Sequence, residues 1–192
     1  MLEIIFSVFL LYLVIFDPFM STASFVSLTR GFSEKERKRI AMQASAIAAF
    51  LVLAIIFSGT AILDTLSINM EDFKVAGGVV LALLGIQMVM GFDFSSREKH
   101  GESSAIATII ATPLITGPAA IMATLISTGQ YGWFPVFVAA GSALVIVSVC
   151  LYFANRLMRM IGKPALTVLS TIFGLVTLAW GVSFIRQGIA GL

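Results

Sequence analysis

Six apolar runs, at about 2–28, 40–63, 75–92, 105–127, 133–153 and 165–185, take up most of this 192-residue chain. Crossing a hydrocarbon core as a helix needs roughly 20 predominantly apolar residues, and each run is near that length. The chain therefore reads as all-α: a polytopic membrane protein with six transmembrane helices. Composition agrees, with 59% hydrophobic and 11% charged residues and a mean hydropathy of +1.04, against roughly 45–50% apolar and about 25% charged in soluble domains. No stretch between the runs is long enough for a soluble catalytic domain, so function has to lie among the helices.

The first run does not follow the pattern of a cleaved signal peptide. Glu3 precedes it, no Lys or Arg opens it, and it is longer than an h-region, so it is expected to stay in the mature protein. The lone Cys150 cannot form an internal disulfide, and His100 sits in a polar loop without partners at ligand spacing. No metal, cofactor or catalytic group is expected.

Basic residues set the orientation, because short cytoplasmic loops carry an excess of Lys and Arg. Arg30, Lys35, Arg37, Lys38 and Arg39 follow the first run, Arg97 and Lys99 the third, and Arg156, Arg159 and Lys163 the fifth. That places ten of the twelve basic residues on one side, leaving Lys74 and Arg186. The pattern predicts both termini outside the cytoplasm. The basic cluster abuts an apolar run and contains Glu34 and Glu36, which favours a topology signal over nucleic-acid binding. Ser33 and Glu36 have the spacing of a capping box that starts the second helix.

Three spans per half would make two homologous halves point in opposite directions. Sliding the chain by 96 lays "GGVVLALLG" on "FGLVTLAWG", bringing Gly78 and Gly85 onto Gly174 and Gly181. A slide of 95 lays "DPFMSTAS" on "TPLITGPA", with Pro18 on Pro113 and Ser21 on Thr116. Gly-rich apolar segments also align by chance, but two nearly equal offsets and the orientation read from charge favour an inverted repeat. Its units are 1–94 and 95–192.

Asp17-Pro18 and Thr112-Pro113 then occupy equivalent places in the first and fourth spans. Asp and Thr are good N-caps and Pro suits the first helical position, so each pair predicts a new half-helix beginning inside the membrane. Both spans are expected to be discontinuous. Irregular backbone at such depth survives only in packed protein or along a wet cavity. Half-helix N-termini there suit a carboxylate, while the carbonyls ending the preceding half-helices, near Phe16 and Ala111, together with Asp17, suit an ammonium. A small zwitterion fits. The candidate ligand-binding residues are Asp17, Pro18, Ser21, Thr22, Thr112, Pro113, Thr116 and Gly117; Gln43 and Gln87, polar within spans, are secondary candidates that either face the cavity or bond between helices. Low dielectric disfavours a carboxylate's charge, so Asp17 is also the candidate for proton or cation coupling. Its plainer reading is a cap that binds nothing. Small residues at Ala41, Ala44, Ser45, Ala48 and Ala49, and the glycine pairs, read as close helix packing.

The "DP" break, the "PLITGPAAI" segment, the basic loop after the first span and the length of nearly the whole chain resemble the MarC (SnatA-like) family of six-helix bacterial and archaeal membrane proteins. The resemblance implies transport of small neutral amino acids such as glycine, alanine, serine and threonine, in a prokaryotic inner membrane. The family's first-span pattern is D-P-x-G-N-x-P. Asp17 and Pro18 keep it, while Met20, Ser21 and Ala23 replace its Gly, Asn and second Pro. Pro113, Leu114, Gly117 and Pro118 keep the fourth-span pattern. Met20 would narrow a site where the family has no side chain.

Together these readings describe a secondary transporter, exporter or exchanger, whose partners are a small neutral amino acid and the lipid bilayer, with no nucleic acid; a homo-oligomer is compatible with the pattern. An enzyme is disfavoured because no second catalytic group lies at depth beside Asp17. A channel, a drug-efflux protein or a non-transporting structural or regulatory membrane protein are the alternatives.

Overall fold

The structure, a computed structural model, describes residues 1–91 and 116–191. These residues form eight helices: α1 (Leu2–Phe16), α2 (Pro18–Leu28), α3 (Glu34–Thr65), α4 (Met70–Met90), α5 (Pro118–Tyr131), α6 (Trp133–Tyr152), α7 (Ala154–Ile161) and α8 (Lys163–Gly191). No strand occurs among the described residues.

Five stretches are long and apolar enough to cross a membrane: Leu2–Leu28, which takes in α1 and α2, then Glu34–Gly59 within α3, Met70–Met90, Trp133–Tyr152 and Lys163–Gly191. The chain is thus a polytopic helical membrane protein. The remaining expected run, 105–127, lies partly outside the described residues, and α5 carries its described end on to Tyr131.

Helix ends follow local chemistry. The Ser33–Glu36 box forms as read: the Ser33 amide donates to Glu36 Oε2 at 2.8 Å and the Glu36 amide to Ser33 Oγ at 3.3 Å. Gly132 and Gly162, at φ 81° and 80°, turn the chain between α5 and α6 and between α7 and α8, where a Cβ would be strained. One element departs from expectation. The basic segment after the fifth run, read as a loop, holds the eight-residue α7. Asn155, Arg156 and Arg159 share one side of it, and Phe153, Leu157 and Met160 line the other, so a short helix satisfies both sides at the membrane edge.

Packing is built on small residues. Ala139, Ala140, Ala143 and Val147 of α6 are fully buried, as are Ala44 and Ala48 of the facing α3. Long apolar side chains point outward instead, Phe50, Leu83, Val145 and Val168 among them. Small residues inside with large apolar residues outside is the pattern of helices solvated by lipid. The most extensive pairing among the described helices joins α4 to α8. A Cβ at Gly78 would lie 2.6 Å from the Gly181 carbonyl oxygen, and one at Gly85 2.7 Å from that of Gly174. The two backbones touch, running antiparallel.

Candidate functional site

At the junction of α1 and α2 the backbone leaves helical geometry for one residue. Asp17 has φ 37° and ψ 80°, in the left-handed region, which Asp tolerates better than most residues because its short side chain bonds locally. Pro18 has no N–H to lose and is preset for the first position of α2. Asp17 Oδ1 accepts from the amides of Phe19 and Met20, both at 3.1 Å. The N-terminus of α2 is therefore capped by Asp17 itself.

Hydroxyls complete the junction. Ser21 Oγ donates to the Phe16 carbonyl at 2.8 Å, across the break, and Thr22 Oγ1 donates to the Pro18 carbonyl at 2.6 Å. The Phe16 carbonyl, expected to be unpaired, thus already has a donor. Ser21 stands where the family pattern has Asn, and this bond is what its hydroxyl does there.

Asp17 is buried, with 5% of its surface exposed. Its second oxygen, Oδ2, accepts from Ser170 Oγ of α8, and the rings of Phe19 and Phe173 pack beside this bond with centroids 5.2 Å apart. The carboxyl therefore has three donors, all uncharged. The ion pairs among the described residues, Lys38–Glu34 and Lys74–Glu71, lie elsewhere.

A second polar connection sits deeper in the bundle. Tyr12 OH of α1 donates to Thr124 Oγ1 of α5 at 2.8 Å, and Thr124 Oγ1 donates to the Ala120 carbonyl at 2.7 Å. Both side chains are fully buried. This chain of hydroxyls fastens α1 to α5.

Of the expected site residues, Asp17, Pro18, Ser21 and Thr22 share one turn and all are buried. Thr116 is buried and Gly117 half-buried at the start of α5. Thr112 and Pro113, with the half-helix start expected there, lie outside the described residues. In the described part α5 opens at Pro118, with Gly117 as an extended N-cap and no side-chain cap. Gln43 Oε1 in α3 is buried and accepts no hydrogen bond among the described residues. Gln87 in α4 is half-buried.

Ser170, Tyr12 and Thr124 were not anticipated. A buried carboxylate demands donors, and α8 offers Thr167, Ser170 and Thr171. Choosing among them requires knowing which turn of α8 meets Asp17, which is tertiary information.

The profile described as "MarC family integral membrane protein" matches residues 2–192. The chain belongs to the MarC family. Among relatives, a UPF0056 membrane protein of Pyrococcus horikoshii is 32% identical, the match covering 100% of this chain and 96% of that protein. A UPF0056 membrane protein of Methanocaldococcus jannaschii is 30% identical over 92% of this chain and 91% of its own. One from Escherichia coli is 25% identical over 88% and 83%. The MarC relatives thus span bacteria and archaea, and none of these names states a substrate. No solved structure gives a significant match.

Proposed function

We propose that this MarC-family protein is a secondary transporter of small neutral amino acids such as alanine, glycine, serine or threonine, working by alternating access. The observation that carries the reading is Asp17: a buried carboxyl at a helix break within a membrane span, joined to another span by Ser170 rather than by a basic side chain. An acidic group at such depth costs roughly 2.5–3.5 kcal/mol on insertion scales, and a cap alone does not require the charge, since Asn caps as well.

In this reading the chain has six spans in two inverted repeats, 1–94 and 95–192, with the first and fourth spans discontinuous. It sits in the prokaryotic inner membrane with both termini outside the cytoplasm. The helix contacts support the symmetry. Exchanging the halves turns the α2–α6 pair into α5–α3 and the α2–α8 pair into α5–α4, while α4–α8 and α3–α6 map onto themselves; all of these pairs are in contact. The glycines support it too: Gly78 faces Gly181 and Gly85 faces Gly174, as a two-fold axis in the membrane plane would arrange equivalent residues.

The capping of α2 refines the assignment of roles. Asp17 occupies the amides of Phe19 and Met20, so the substrate's carboxylate falls to the start of α5, where Thr116 and Gly117 lead into a helix without a side-chain cap. The substrate's ammonium falls to Asp17, taking the place of the Ser170 hydroxyl on Oδ2. Ser21 and Thr22 hold the carbonyls around the break and keep its shape. A proton is the coupling candidate, because the same carboxyl can be neutralised when no ammonium is bound.

The test is uptake of labelled alanine or serine into proteoliposomes by wild type and Asp17→Asn at two pH values. Asn preserves the cap but neither carries charge nor titrates, so folding should survive while flux falls or loses its pH dependence. Wild-type rates with an unchanged pH profile would reduce Asp17 to a cap and remove the reading. Substrate counterflow, which a channel does not produce, separates the two kinds of permeation.

A further inference from the structure

A second concave site lies at the basic edge of the bundle, where α3 begins and α6 gives way to α7. A cleft of about 240 Å³ is lined there by Glu34, Arg37, Lys38, Tyr152, Asn155 and Arg156, among others. Its three cations have different standing. Arg37 is a structural post: Nε donates to the Thr29 carbonyl at 3.0 Å and Nη1 to Asn155 Oδ1 at 2.7 Å. Lys38 reaches Glu34 at 3.2 Å, an exposed pair of little strength, and lies 5.3 Å from the centre of the Tyr152 ring. Arg156 is exposed and has no ion pair or side-chain hydrogen bond among the described residues. The lining carries three positive charges against one negative, with a free guanidinium at its mouth.

The helix that supplies Arg156 is itself suited to a bilayer surface. Around α7 the apolar arc of Phe153, Ala154, Leu157, Met158, Met160 and Ile161 is wider than the protein covers. Ala154 is buried, while Met160 is 76% and Phe153 46% exposed. Arg156 borders the uncovered part of this arc. A short amphipathic helix with an uncovered apolar stripe flanked by Arg sits in the interface between headgroups and acyl chains. The cleft therefore opens at the depth where lipid phosphates lie.

The geometry points to an anionic-phospholipid site: the phosphate of the headgroup enters the cleft against Arg156 and Lys38, and an acyl chain lies along Phe153 and Met160. Guanidinium recognises phosphate through paired N–H donors, and clustered basic residues beside a span favour anionic lipid over zwitterionic lipid. The inference stands apart from the transport reading, since it uses neither Asp17 nor the start of α5.

The experiment uses the full-length protein in detergent, titrated with phosphatidylglycerol, phosphatidylcholine or inorganic phosphate, and reads the unfolding midpoint and lipid retention in native mass spectrometry. Phosphatidylglycerol should raise the midpoint and stay bound, and phosphatidylcholine should do neither. Lys38→Gln and Arg156→Gln should each weaken phosphatidylglycerol binding about fivefold. Lys163→Gln, which removes a charge from the same side outside the cleft, should leave it unchanged. Arg37 is left intact because it holds the end of α2 to α7. Equal binding of the two lipids, or equal losses in all three variants, would overturn the site. A full midpoint shift from inorganic phosphate alone would assign the cleft to a free anion and overturn the lipid.

Discussion

Replacing Gly85 by Ala tests whether the α4–α8 contact is as close as described. The new Cβ would lie 2.5 Å from the Leu178 amide nitrogen and 2.7 Å from the Gly174 carbonyl oxygen, where ordinary contact begins near 3.4 Å. Both neighbours are backbone, so no rotamer change relieves the clash and the helices must part. Overpacking of this kind costs about 1–3 kcal/mol. Ala is also better than Gly inside a helix by roughly 0.5–1 kcal/mol, which masks part of the loss. Gly141→Ala in α6 supplies the comparison: a Cβ there meets nothing within 4 Å, so it shows the propensity gain alone. The difference between the two variants isolates the clash at about 1–3 kcal/mol, which is a separation of several degrees for a chain of this size. Thermal unfolding in mild detergent reads it. If Gly85→Ala melts at or above Gly141→Ala, the backbones are not in contact and the packing argument fails.

Asp17→Ala should destabilise far more than Asp17→Asn. It loses a cap worth about 0.5–2 kcal/mol, strains a left-handed residue by about 1–2 kcal/mol and strands the Ser170 hydroxyl; detergent unfolding midpoints compare the pair, and equal losses would deny the cap. Tyr12→Phe should cost about 1 kcal/mol in the same assay, one hydrogen bond, since Thr124 keeps its bond to Ala120; no change at all would mean that the hydroxyl contact does not form. Ser33→Ala should cost about 0.5–2 kcal/mol locally, seen as faster amide exchange at Glu36 with the rest of α3 unaffected. A reporter fused after Lys163 should lie in the cytoplasm and one fused after Leu192 outside; the same side for both would refute the orientation drawn from basic residues.

What could be read from the sequence were features set by runs and neighbours. Apolar length alone marked Trp133–Tyr152 to within a residue, because a span must match a fixed thickness. The Ser33–Glu36 box and the Asp17-Pro18 junction are local, decided within four residues, and both form. The α7 helix escaped because its apolar stripe is too short to register as a run and its two arginines, with Lys163 just beyond it, resemble a loop. Ser170 and Thr124 escaped for a different reason: hydroxyls are common in spans, and only the packing of α8 against α2 and of α5 against α1 selects these two. The capping of α2 by Asp17 was anticipated, but not that it would use up the amides assigned to a ligand. That follows from the left-handed backbone at Asp17, which turns Oδ1 toward Phe19 and Met20.

The glycine seam between α4 and α8 also bears on how the molecule is made. α4 leaves the ribosome well before α8, so the stripe containing Gly78 and Gly85 stays without its mate until α8 has been made. During that interval a bare small-residue groove is open to any passing helix, including one from another unfinished chain. Completion of α8 closes the groove, and a chain stopped short of Gly174 never closes it. Closure of this seam therefore waits on α8, and nonsense truncations within α8 should produce inserted but unpaired bundles that quality-control proteases recognise.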